Sequence, residues 1–170
     1  MNALGNLQEF LGTGGNVLFV IMIVAFVLWS FILERVAYYV FAHRSMREAL
    51  KREWDERKDK ISWQAHAIRD ELISQVKSRT EANVTMIKTM VALSPLLGLL
   101  GTVTGMIEVF DVMALSGSSN ARAMAGGVFK ATIPTMAGMT VALSGIYFPT
   151  FFDRKSRRET AQFADDLGAI

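Results

Sequence analysis

The chain has no cysteine, only three prolines and two histidines in 170 residues, and no lysine or arginine ahead of Arg35. Without cysteine there is no disulfide framework, no thiolate zinc site and no iron–sulfur ligation. His43 and His66 are too widely spaced to act as a metal-ligand pair, so no metal and no cofactor are expected. The first 16 residues carry Glu9 and no basic residue, which does not fit a cleavable signal. A net charge of only +2, with bases interspersed among nearly as many acids, argues against nucleic acid as a partner. Enzymatic chemistry is not expected either. An enzyme would need a nucleophile with its base, paired acids or a phosphate cradle, and GLLGTVTG at 98–105 lacks the Lys-Ser/Thr ending of a phosphate-binding loop.

Charge is also missing locally. Phe10 to Leu33, Thr89 to Ile107 and Ala131 to Phe152 contain no Lys, Arg, Asp or Glu, in a chain that is 51% hydrophobic. About 20 apolar residues cross ~30 Å of hydrocarbon as a helix, so three spans are expected, at 16–42, 86–115 and 124–152. Basic residues orient them. Arg35 to Arg79 holds eleven and the segment after Phe152 adds Arg154, Lys155, Arg157 and Arg158, whereas the link 116–123 holds only Arg122. The positive-inside rule then places the N-terminal segment 1–15 and the link outside, and 43–85 and the tail 153–170 in the cytoplasm. The predicted fold class is an all-α integral membrane protein with three transmembrane helices, long cytoplasmic helical extensions, the N-terminus out and the C-terminus in.

Apolar periodicity organises the segments outside the spans. Val36, Tyr39, Val40, His43, Met46, Leu50 and Trp54 recur at three- and four-residue spacing, as do Ile61, Ala65, Ile68, Leu72 and Val76, with no Pro or Gly between Ala37 and Met90. This predicts a stalk of packed helices with a turn between Arg57 and Ser62. At the other end Leu4, Leu7, Phe10 and Leu11 predict a short interfacial helix stopped by Gly12, Gly14 and Gly15.

The second and third spans carry the functional signal. Ser94, Gly98, Gly101, Gly105 and Glu108 form a narrow stripe at ~100° per residue, with Thr102 on its flank; Ala131, Thr135, Gly138, Ala142, Gly145 and Pro149 form another. Small residues let helix backbones approach closely, which by itself predicts tight packing. An antiparallel hairpin turning near residue 119 adds a second expectation, because positions summing to about 238 then lie level. Thr102 falls level with Thr135 or Met136, and Glu108 with Lys130, making these last two a candidate intramembrane ion pair.

The runs LSPLLGLLGTVTGMI and GGVFKATIPTMAGMTVAL, with the link between them, resemble the second and third membrane helices of the MotA/TolQ/ExbB proton-channel family, and the three-span layout resembles its ExbB-like members. The resemblance is specific over Met86 to Phe152. It implies a pentamer in the bacterial inner membrane, enclosing the single spanning helices of an ExbD-like partner with an intramembrane aspartate. It also implies that proton-driven motion passes through a TonB-like protein to outer-membrane uptake. Thr102 and Thr135 match the family's polar threonines and are implied to line the proton pathway. Where several relatives carry a glutamate near the outer end of the third helix this chain has Lys130, which cannot relay a proton as a carboxylate, and whether Glu108 replaces it is open. A TolQ-like role in envelope integrity and a non-conducting assembly scaffold are the alternatives.

Overall fold

Apolar runs long enough to cross a bilayer favour helices, which satisfy their own backbone groups, and the computed structural model is helical without a strand among the residues it describes. These are 3–57, 59, 60, 62–116 and 121–168, with 3–14, 116 and 121–123 described by backbone alone. In chain order the elements are α1 (Ala3–Ala37), a π-helical turn (Tyr38–Ala42), α2 (His43–Asp55), α3 (Trp63–Glu81), α4 (Val84–Ser116), α5 (Ala121–Gly145) and α6 (Tyr147–Asp166). Three helical stretches, Gly15–Asp55, Trp63–Leu115 and Met124–Asp166, are long and apolar enough to cross a membrane. The chain is therefore an all-α, multi-pass membrane protein. Most of the expected outward link, at 117–120, and Ile61 lie outside the described residues, as do the side chains of Leu4, Leu7, Phe10 and Leu11.

Each interruption has a local cause. α1 is two helices joined at Gly15, whose φ of +66° is a left-handed conformation that glycine adopts freely. Ser62 caps α3 by accepting from the Ala65 amide at 3.2 Å, while Asp59 Oδ1 accepts from the Ser62 amide at 3.1 Å. α3 and α4 part at Asn83, φ +61°, an interruption that the apolar periodicity does not signal. Asparagine tolerates that backbone, and its side-chain amide donates to Glu34 Oε2 at 3.1 Å. Pro95 and Pro134 remain inside α4 and α5. Pro149, by contrast, sits in the first turn of α6, where its missing N–H costs no helical bond.

The chain forms two compact units, Met1–Trp29 with Lys88–Ile146, and Ser30–Ile87 with Tyr147–Ile170. In the first, Leu18, Ile21 and Leu28 of α1 are buried with the small residues of α4 and α5, and large apolar side chains of α4 and α5 point outward. In the second, Trp54, Ala65, Leu72, Val76, Phe163 and Leu167 form a core flanked by Met46, Leu50, Ile68 and Ile73. α3 packs along α6, and Trp54 Nε1 donates to the Leu167 carbonyl at 3.1 Å.

Two features of this second unit differ from the expectation. Val36 and Val40 are exposed, Val40 by 64%, so ahead of His43 only Tyr39, half-buried against Phe152, keeps to the expected stripe. The π-helical turn Tyr38–Ala42, which contains Val40, adds a residue to one turn and shifts the phase of the apolar face. The segment read as a tail is helical as α6 through Asp166, burying Phe152, Ser156 and Phe163.

Candidate functional site

The expected stripes on α4 and α5 meet face to face. A Cβ placed on Gly98 would lie 2.9 Å from both the Pro134 carbonyl and Thr135 Cα, and one on Gly105 would lie 2.7 Å from Ala131 Cβ. Gly101 abuts Pro134 and Val17, and Gly138 abuts the Ser94 carbonyl and Gly98. Ser94, Gly98, Gly101, Ala131, Gly138, Ala142 and Gly145 are buried, while Gly105 is half-buried. Gly145 packs against Val91 and Leu28 rather than against the α4 glycines. Ser94, Gly98, Gly101, Gly105, Ala131, Gly138 and Gly145 thus lie at helix contacts, where a larger side chain would push the backbones apart, and Ala142 is buried.

That close approach brings Thr102 and Thr135 together. Their hydroxyls hydrogen-bond to each other across the helix pair, and Thr135 Oγ1 also donates to the Gly98 carbonyl at 2.8 Å. Each hydroxyl has one proton. With the Thr135 proton on Gly98, the Thr102 proton is the one shared between the threonines, and Thr102 Oγ1 keeps its lone pairs for a further donor. Thr102 lies 3.4 Å from the same Gly98 carbonyl, so three oxygens converge at one point. Both threonines are half-buried.

Five other hydroxyls of this unit behave differently. Ser94 donates to the Met90 carbonyl at 2.8 Å, Thr132 to Phe129 at 2.7 Å, Thr140 to Met136 at 2.8 Å and Ser144 to Val141 at 2.8 Å. Thr104 likewise turns back onto Leu100 at 3.0 Å. Back-bonding onto the same helix is the default for hydroxyls in spanning helices. Thr135 departs from it, because removing the Cβ at Gly98 exposes a neighbouring helix's carbonyl to it.

Glu108 and Lys130 are not brought together: both are exposed and no ion pair joins them. A Cβ on Gly127 would lie 2.5 Å from Val109 Cγ2, so Glu108 is level with a position nearer 128 than 130. Among the described residues no cluster of three or more His, Cys, Asp or Glu side chains could hold a metal ion.

A polar cluster in the second unit escaped the reading of the sequence. Glu159 Oε2 accepts from His43 Nε2 at 2.9 Å and from Arg47 at 2.7 Å, and Arg47 also donates to Asp166 at 2.7 Å. Burial pushes the Glu159 carboxyl up, but hydrogen bonding and charge from His43, and then from Arg47, outweigh it and hold the group below its ordinary value. Close by in sequence, Thr80 and Ser156 pair their buried hydroxyls at 2.8 Å. The available signal was the spacing of Phe152, Ser156, Glu159, Phe163 and Leu167, which places Glu159 on the inner face of a helix.

A sequence profile of the MotA/TolQ/ExbB proton channel family matches residues 39–165. Biopolymer transport protein ExbB-like 3 of Synechocystis sp. is 34% identical over 88 residues, covering 51% of this chain and 42% of that protein. ExbB-like 1 of the same organism is 48% identical over 61 residues, 34% of this chain and 24% of that protein. Biopolymer transport protein ExbB of Xanthomonas campestris pv. campestris is 30% identical over 91 residues, 54% of this chain and 36% of that protein. The matched part spans less than half the length of each of these relatives.

Proposed function

Because the chain belongs to the MotA/TolQ/ExbB proton channel family, we propose that it is an ExbB-like subunit of an inner-membrane motor driven by the proton-motive force and energising outer-membrane uptake. Its partners are further copies of itself in a pentamer, a single-span ExbD-like protein with an intramembrane aspartate, and a TonB-like protein. The N-terminus and the 116–123 link face outward, and 43–85 and 153–170 lie in the cytoplasm.

The observation that carries this reading is the cross-helix bond from Thr135 to the Gly98 carbonyl, with Thr102 joined to it. Threonine does not ionise usefully, so the titrating group must come from elsewhere, and a partner carboxyl fits the site. When protonated it can donate to the free lone pairs of Thr102. When ionised it loses that bond and takes protons from water instead, so binding at the pair depends on its charge. One charge moved through 100 mV releases about 2.3 kcal/mol, enough to bias one helix against another when proton release is coupled to the motion.

Valine keeps threonine's shape and lacks the hydroxyl. Thr135→Val, expressed with an ExbD-like and a TonB-like partner, is expected to assemble normally and to lower proton-dependent uptake at least about fivefold. That is the loss of one hydrogen bond of ~1 kcal/mol. Thr102→Val should be milder, because the Thr135 to Gly98 bond survives it. Full uptake by both variants in an intact complex would make the two threonines packing residues and overturn the reading.

A further inference from the structure

The outer face of α6 changes character along its length in the order a membrane boundary requires. At ~100° per residue, Tyr147, Phe151, Arg154 and Arg158 fall within a narrow stripe on one side, opposite Pro149, Phe152, Ser156 and Phe163. All four stripe residues are exposed and the four opposite are buried. Tyr147, 70% exposed, stacks on Phe151 with ring centroids 6.1 Å apart. Lys155, on the flank, lies 4.7 Å over the Tyr39 ring and 5.9 Å from the Phe151 centroid.

Among the described residues no carboxylate pairs with Arg154 or Arg158. Glu159 is committed inward to His43 and Arg47, Asp153 is half-buried off the stripe, and the first exposed acid of the stripe is Asp165. At ~1.5 Å per residue, Arg154 lies about 4.5 Å and Arg158 about 10 Å beyond Phe151, whereas Asp165 lies about 21 Å beyond it. The headgroup layer on each side of a bilayer is roughly 5–8 Å thick. With Phe151 at the acyl boundary, Arg154 reaches the phosphates and Arg158 their watery edge, while Asp165 is clear of both.

We propose that the Tyr147, Phe151, Arg154 and Arg158 face of α6 binds an anionic phospholipid of the cytoplasmic leaflet, with the two rings against the glycerol and upper acyl region and the two guanidinium groups on the phosphate. Arginine suits this task because its planar donors fork onto phosphate oxygens. The choice of the cytoplasmic leaflet rests on the topology given under the proposed function; headgroup recognition itself does not.

The full-length chain in detergent, titrated with phosphatidylglycerol or phosphatidylcholine and followed by native mass spectrometry, separates these points. Arg154→Gln/Arg158→Gln is expected to bind phosphatidylglycerol roughly 30-fold more weakly, about fivefold per guanidinium, with phosphatidylcholine binding unchanged. Arg154→Lys/Arg158→Lys should retain most of the binding. Arg44→Gln, whose partner is Glu48 on α2, should retain all of it. Raising salt should weaken phosphatidylglycerol binding by the wild type and leave the Gln variant unaffected. Equal binding of the two lipids by the wild type, or undiminished phosphatidylglycerol binding by the Gln variant, would overturn the site. Labelling of Arg158→Cys by an impermeant thiol reagent from outside the cell would instead overturn the leaflet and the topology while leaving headgroup recognition standing.

Discussion

In the unit containing α4 and α5, Ser94, Gly98 and Ala131 are buried while Leu96, Ile107 and Leu143 face outward. In the unit containing α2, α3 and α6, Trp54, Leu72 and Phe163 are buried while Arg44, Glu48 and Glu71 face outward. The facing sides of α4 and α5 and the core of the second unit follow opposite burial rules because these parts of the chain meet different solvents. In water, apolar burial drives packing and large side chains make the core. In hydrocarbon, leucine gains nothing by leaving the surface, and helices associate through backbone proximity and hydrogen bonds, which favours small and hydroxylated residues inside. The threonine pair is a product of the second regime and the His43, Arg47 and Glu159 cluster a product of the first.

The largest contrast should appear on truncating apolar side chains. Phe163→Ala opens the core of the second unit and is expected to cost about 3–5 kcal/mol. Leu143→Ala removes a side chain that is 69% exposed and should be nearly neutral in detergent. Thermal melting of the two purified variants checks this. Comparable losses would mean that α4 and α5 are also held by apolar burial.

A smaller effect is expected from adding a methyl group. Gly98→Ala forces its Cβ to within 2.9 Å of the Pro134 carbonyl and Thr135 Cα, and should cost about 1–3 kcal/mol as overpacking. It should also weaken the Thr135 to Gly98 bond, so uptake should fall with stability. A Gly98→Ala variant as stable as the wild type would show that the helix pair is looser than its glycines imply.

Acid should act on the second unit through Glu159. Because the Glu159 carboxyl is held below its ordinary value when folded, the folded chain binds fewer protons there than the unfolded one. Its contribution is complete above the ordinary glutamate range and is lost as pH falls through the lowered folded value. Stability should therefore drop more steeply below about pH 4.3 in the wild type than in Glu159→Gln. At neutral pH that substitution should cost about 1–3 kcal/mol, as a charge-assisted hydrogen bond does. Parallel acid profiles for the two proteins would mean that the cluster contributes nothing that depends on pH.

Much of this was legible before any coordinates. The glycine and alanine stripes announced a close helix pair, and Thr102 and Thr135 came out level from the rise per residue alone. The inner face of α3 was likewise visible in Ala65, Ile68, Leu72 and Val76. Other features depended on phase, which periodicity carries poorly across an irregularity. The π-helical turn at Tyr38–Ala42 displaced Val36 and Val40 from the α2 stripe, and the left-handed Asn83 parted two helices that no Gly or Pro separates. The inner face of α6 mixes Ser156 and Glu159 with Phe152 and Phe163, so hydrophobicity alone does not mark it.

Composition by itself determined which stretches are long and apolar enough to cross a bilayer and which of their ends are basic, because transfer into hydrocarbon is a sum over neighbouring residues and needs no distant partner. Which polar groups meet was decided only by tertiary structure. Glu108 and Lys130 missed each other although simple counting made them level, and Glu159 found His43 across 116 positions of sequence. A hydrogen bond or ion pair requires two groups within about 3 Å, and a rotation of 100° about a helix axis carries the end of a side chain farther than that.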